Sequence, residues 1–123
     1  MKLCAIQIPY GYTADEAEAA IAIDDVIDEK CRLRECQVSQ FYEWLAWEMK
    51  VQVNPLTMTW EKKRDYLMVN WGSRYKQAAI EARQTLIETY GEMGKNICYA
   101  ECFELSPYGR KITVSEFREL LRA

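Results

Sequence analysis

From Ile97 to Leu105 the chain alternates with period two. Ile97, Tyr99, Phe103 and Leu105 fall on one side of an extended backbone, and Cys98, Ala100 and Cys102 on the other. Such a run reads as a strand, and a strand needs partners, because its N–H and C=O groups must be paired and a lone hairpin is marginal in water. Ser106-Pro107-Tyr108-Gly109 reads as a turn and Lys111-Ile112-Thr113-Val114 as a return strand. Residues 2 to 8, with Leu3, Cys4, Ile6 and Ile8 apolar ahead of the Pro9-Tyr10-Gly11 turn cluster, supply a third strand. The expected sheet is small and antiparallel, made of an N-terminal strand plus a C-terminal hairpin.

The remaining segments carry helical signals. Thr13-Ala14-Asp15-Glu16 has the form of a capping box and starts a helix expected over about residues 14 to 35. Gln37-Val38-Ser39 allows a bend, and Ser39 is placed to cap a second helix to Lys50 with Phe41, Trp44, Leu45 and Met49 on its apolar stripe. Tyr42 and Trp47 lie partly off that stripe. Asn54-Pro55 breaks the chain, since the residue before proline is driven from the helical region. Thr59 caps a helix over 60–69, a further helix covers 74–90 up to Gly91, and Ser115 caps a short last one with Phe117, Leu120 and Leu121. The fold class is α+β, a small antiparallel sheet covered by four to five helices. At 123 residues, half of them hydrophobic, the chain is expected to form a single domain spanning residues 1–123.

Composition removes several function classes. The chain has no histidine, which excludes the commonest general base, the commonest neutral metal ligand and every Ser-His or Cys-His pair. Its formal net charge of −3 leaves no overall footprint for nucleic acid. Five cysteines, an odd number without a C-x-x-C pair, fit packing in a reducing cytosol, so a cytoplasmic location is expected. The opening residues are too short an apolar run for a secretion signal, and no stretch has the ~18 apolar residues of a membrane span. No motif assigns a catalytic residue, a cofactor or a metal.

Charge is polarised. Residues 1 to 30 hold seven acids against two lysines, and residues 60 to 84 hold six basic residues against three acids. On a helix over 14–35 the acids Glu18, Asp24, Asp25, Asp28 and Glu29 share the face opposite the apolar one, with Ile21 in their midst. An apolar knob ringed by carboxylates suits a protein partner with a basic surface, such as a nucleic-acid-handling enzyme, with Trp71 as a second anchor. A solvated helix face with one stray isoleucine accounts for the same residues. Lys62, Lys63, Arg64, Arg74 and Lys76, interleaved with aromatic residues, offer an alternative: a nucleic-acid module, or the acceptor of a second copy's acidic helix in a homo-oligomer. A second alternative is a carboxylate enzyme holding Mg²⁺ on Asp24 and Asp28 with Glu101 or Glu104. Small, acidic, motif-free chains of this length resemble the accessory proteins that phages use to block host defence, including anti-CRISPR inhibitors. That resemblance implies a non-enzymatic protein that occupies a basic site on its target.

Overall fold

A computed structural model describes residues 5–7, by their backbone, and residues 17–122. The Pro9-Tyr10-Gly11 turn, the Thr13–Glu16 capping box and Cys4 lie outside the described residues. The architecture is α+β, and the chain forms two compact units, Met1–Asp24 with Arg74–Ala123, and Asp25–Ser73.

The first unit holds a three-stranded antiparallel sheet of β1 (Ala5–Gln7), β2 (Ala19–Ala22) and β3 (Ala100–Leu105), with β3 in the centre. The N-terminal strand pairs with the strand expected over 97–105, which begins later, at Ala100, and Ile6 stands opposite Glu104. The other edge departs from expectation. Residues 111–114 form no return strand; Val114 opens a helix, α6 (Val114–Arg122). The cause is a capping box that the sequence displays as Thr113-x-x-Glu116. The Glu116 N–H donates to the Thr113 hydroxyl at 3.2 Å, and the Thr113 N–H donates to the Glu116 carboxylate at 2.8 Å. That N–H is thereby unavailable to a ladder, and the Thr113 contacts hold the Glu116 carboxyl below its usual range. Ser115 is inside the helix and does not cap it.

The vacated edge is occupied by residues 19–22, which corrects the expected helix over 14–35. Ala20 stands opposite Cys102 and Ala22 opposite Ala100. Alanine favours helix by only tenths of a kcal/mol per residue over its competitors, so a ladder and a buried face override the preference. Ala17, Ala20, Ala79, Ala82, Ala100, Cys102 and Leu86 form this unit's core. Such small side chains let α4 (Ser73–Glu81) and α5 (Arg83–Tyr90) approach the sheet closely. The helix expected over 74–90 is distorted at Ala82, at φ −88° and ψ 19°, although its N–H still donates to the Ala78 carbonyl and its carbonyl accepts from the Leu86 N–H, both at 2.9 Å; α5 stops where expected, at Gly91 with φ 65°. A 3-10 turn over Gly91–Asn96 folds back, and the Arg83 guanidinium donates to the Gly94 and Ile97 carbonyls at 2.6 and 2.8 Å.

The second unit is helical. It contains α1 (Ile27–Glu35), a π-helical turn (Ser39–Trp44) leading into α2 (Leu45–Glu48), a 3-10 turn (Pro55–Thr57), α3 (Trp60–Leu67) and a second π turn (Met68–Gly72). Residues 36 and 37 separate two helices, at the Gln37-Val38-Ser39 junction that allows a bend, although Ser39 makes no cap. Thr59 does cap α3, accepting from the Lys62 N–H at 3.4 Å. Cys31, Phe41, Tyr42 and Leu67 are buried together, with Trp60, Tyr66 and Trp71 packed around them. The rings interlock: Phe41 meets Trp71 edge-on at 4.9 Å, and Tyr42 stacks on Tyr66 at 5.5 Å.

The end of α2 reverses the chain. Lys50 sits at φ 57°, its N–H donates to the Trp47 carbonyl at 3.0 Å, and the Val51 N–H donates to the Ala46 carbonyl at 2.9 Å. This is a Schellman cap with lysine in the position that usually carries glycine. A left-handed lysine costs ~1 to 2 kcal/mol relative to a right-handed one. Lys50→Gly is therefore expected to stabilise the unit by roughly 0.5 to 1 kcal/mol after the greater unfolded-state entropy of glycine is allowed for. A thermal melt checks this, and a lower midpoint in the variant would contradict the cap.

Candidate partner-binding face

The residues expected to form one acidic face do not share one helix. Glu18 precedes β2, where its carboxylate accepts from the Leu105 N–H and its carbonyl accepts from Arg118 Nε at 2.7 Å. Ile21 lies within β2, opposite Glu101. Asp24 accepts from the Cys98 and Tyr99 N–H groups at 2.9 and 3.2 Å, tying the end of β2 to the segment before β3. In the second unit, Asp25, Asp28 and Glu29 are exposed around the start of α1, where carboxylates offset the unpaired N–H groups of the helix end. Asp28 also pairs with Arg64 at 2.6 Å.

Trp71 is no exposed anchor, because its ring is half-buried against Phe41 and Tyr66. Of the basic set, Lys63 pairs with Glu35 and Arg64 with Asp28, while Lys62 remains exposed. In the other unit Arg74 donates to the Tyr75 hydroxyl at 3.0 Å and Lys76 is exposed. No three acidic or thiol side chains converge to hold a metal ion among the described residues. Neither alternative constellation is therefore assembled within one unit. Burial pushes the Cys102 thiol up to about 11, with Glu81 and Glu101 adding to the effect, and burial raises Cys31 as well. Both are packing residues.

A different face emerges on the 39–51 segment. The Leu45 N–H donates to the Gln40 carbonyl five residues back, so the helix is widened to π geometry there. Phe41, Tyr42 and Ala46 turn inward, whereas Trp44, expected on the buried stripe, is 59% exposed, and Trp47 is 78% exposed. The two tryptophans are three residues apart and share one side of the helix. Glu43 and Glu48, both exposed, flank them.

Beside Trp47 runs a shallow groove of about 410 Å³. One wall is the helical turn of Tyr42, Glu43, Ala46 and Trp47, and the other is the run 51–54 that the Lys50 cap turns back alongside it. Tyr42 is buried, and its hydroxyl has no hydrogen-bond partner among the described residues. Burial first, then the charge of Glu35, pushes that hydroxyl up to about 12, so it is neutral at physiological pH and adds no charge to that wall of the groove.

No family model matches this chain, nor does any curated protein or solved structure. Its function therefore rests on its own surface. Trp44 and Trp47 were legible as aromatic residues, and Trp47 falls off the apolar stripe in a segment already supplied with Phe41, Tyr42 and Leu45. A tryptophan surplus beside two glutamates was the available signal.

Proposed function

We propose that this chain is a non-enzymatic binding protein that docks a protein partner through the Trp44–Trp47 face. The observation that carries the reading is the exposure of two tryptophans on one helical side, bordered by Glu43 and Glu48. Tryptophan is the residue type most enriched among interface hot spots, and it contributes by filling a pocket on the partner and losing water there. The carboxylates set the partner's chemistry. They attract arginine or lysine, whose cations also favour an indole face, and they repel phosphate. A protein with a basic surface fits this face, whereas a nucleic acid stacking on the same rings would meet two negative charges. On a nucleic-acid-handling enzyme, occupation of the phosphate-binding surface would itself inhibit, without chemistry.

The test is capture of a partner from host lysate and then titration of that partner with purified protein. Trp47→Ala is expected to weaken binding by ~2 kcal/mol, about thirtyfold, and Trp44→Ala by less, as hot-spot truncations do. Raised salt is expected to slow association. Unchanged affinity in the double alanine variant, with its fold intact by circular dichroism, would remove the reading.

A further inference from the structure

We infer that the groove beside Trp47 receives an extended, arginine- or lysine-bearing peptide of the partner, held by main-chain hydrogen bonds to the run 51–54. The inference rests on the Trp44–Trp47 face being the docking surface. It is carried by a separate observation, the state of the backbone in the run. Val51 is anchored through its N–H to the Ala46 carbonyl at 2.9 Å. Asn54 is anchored as well: its carbonyl accepts from the Thr57 N–H at 3.2 Å and its side chain accepts from the Leu56 N–H at 3.0 Å. Between these anchors, Gln52 and Val53 make no backbone hydrogen bond to any of the described residues.

The run is extended at its end, with Asn54 at φ −126° and ψ 104°, and Val51 beside Gln52 is exposed. Val53 is half-buried against the aromatic cluster, while Gln52 and Asn54 are exposed. A short run held at both ends, extended where it leaves the groove, with unpaired N–H and C=O groups at Gln52 and Val53, offers a template for strand addition. Val-Gln-Val has high strand preference, and Pro55 ends the run one residue beyond Asn54. Four residues span about 13 Å, enough to pair a peptide of similar length. Glu43, on the opposite wall, provides the charge that selects a basic side chain, and Trp47 the surface for its aliphatic stem.

The probe is a synthetic peptide of alternating arginine and valine, compared with its glutamate counterpart and with a copy whose alternate amides are N-methylated. Binding to the ¹⁵N-labelled full chain is tracked by amide shifts and hydrogen exchange. The arginine peptide is expected to shift residues 51–54 and the Trp47 indole, and to slow exchange at Gln52 or Val53. N-methylation is expected to weaken binding roughly tenfold or more, and Glu43→Gln to weaken it severalfold. The glutamate peptide is expected not to bind. Equal binding of the methylated peptide, shifts confined to other residues, or no binding of the arginine peptide would each overturn the inference. So would a concentration-dependent dimer that produces the same shifts without peptide, since that assigns the run to a second copy. If Trp47→Ala abolishes partner binding while methylation has no effect, the docking face stands and strand addition fails; if Trp47→Ala leaves partner binding intact, the face itself fails.

Discussion

Gly94→Ala is expected to lower stability by about 3 kcal/mol, the upper end of what overpacking usually costs. A Cβ at this position would lie 2.5 Å from the Leu86 carbonyl oxygen, 2.6 Å from its carbon and 2.7 Å from the Ile87 Cα. All three are backbone atoms of α5, so nothing can swing aside. The Gly91–Asn96 turn must lift off the helix, which also breaks the contacts from Arg83 to the Gly94 and Ile97 carbonyls. Gly91 is the control. A Cβ there meets nothing within 4 Å, and the penalty comes from its positive φ of 65° alone, ~1 to 3 kcal/mol for a non-glycine residue. Thermal or urea unfolding of the two variants should rank Gly94→Ala as the more destabilised. The reverse order would mean that the close approach of the turn to α5 is misplaced.

Leu67→Ala is the second large effect. Leu67 is fully buried among Cys31, Phe41 and Tyr42, and truncation of such a leucine costs about 2 to 5 kcal/mol through lost transfer energy and the cavity left behind. The aromatic rings around it are locked by mutual contacts and by the Tyr66 hydroxyl, which donates to the Phe41 carbonyl at 2.8 Å. They cannot collapse freely into the space, which places the expected cost in the upper half of that range. Hydrogen exchange should accelerate across residues 25–73 in the variant. Uniform protection in that segment, equal to wild type, would contradict the core assignment. Because the same cluster orients the helix that carries Trp44 and Trp47, partner binding by this variant should fail at a lower temperature than in the wild type.

Much of the fold is written locally in the chain. The Thr59 cap, the Asn54-Pro55 break, the Gly91 stop and the strand at 100–105 each depend on neighbours within a few residues, and each appears where those residues predict. What was illegible depends on competition between distant segments. Ala-Ala-Ile-Ala at 19–22 satisfies both a helical stripe and a strand, and the choice is made by an open edge of β3. That edge is open because Thr113 and Glu116 close on each other. The pair was present in the sequence, but Ser115, two residues after Thr113, is an equally good capping residue type. The acidic face dissolved with the helix: Glu18 and Asp24 became acceptors for backbone N–H groups, a role invisible to a helical wheel.

The candidate site was legible as composition and not as geometry. The expected stripe placed Trp44 with Phe41 and Leu45, but the face that turns inward is that of Phe41, Tyr42, Leu45 and Ala46, and Trp44 faces outward. Likewise, nothing in the Lys50-Val51 sequence announces a left-handed lysine, since glycine or asparagine is the residue expected there. The groove exists because of that one residue's backbone.

The most direct measurement is titration of the captured partner with three proteins: the wild type, Trp44→Ala with Trp47→Ala, and Asp25→Asn with Asp28→Asn and Glu29→Gln. The tryptophan variant is expected to lose binding by about thirtyfold or more, while the carboxylate variant stays within roughly threefold of wild type. Loss of binding in the carboxylate variant, with the tryptophan variant unaffected, would return the function to the start of α1 and contradict the docking face proposed for residues 39–54.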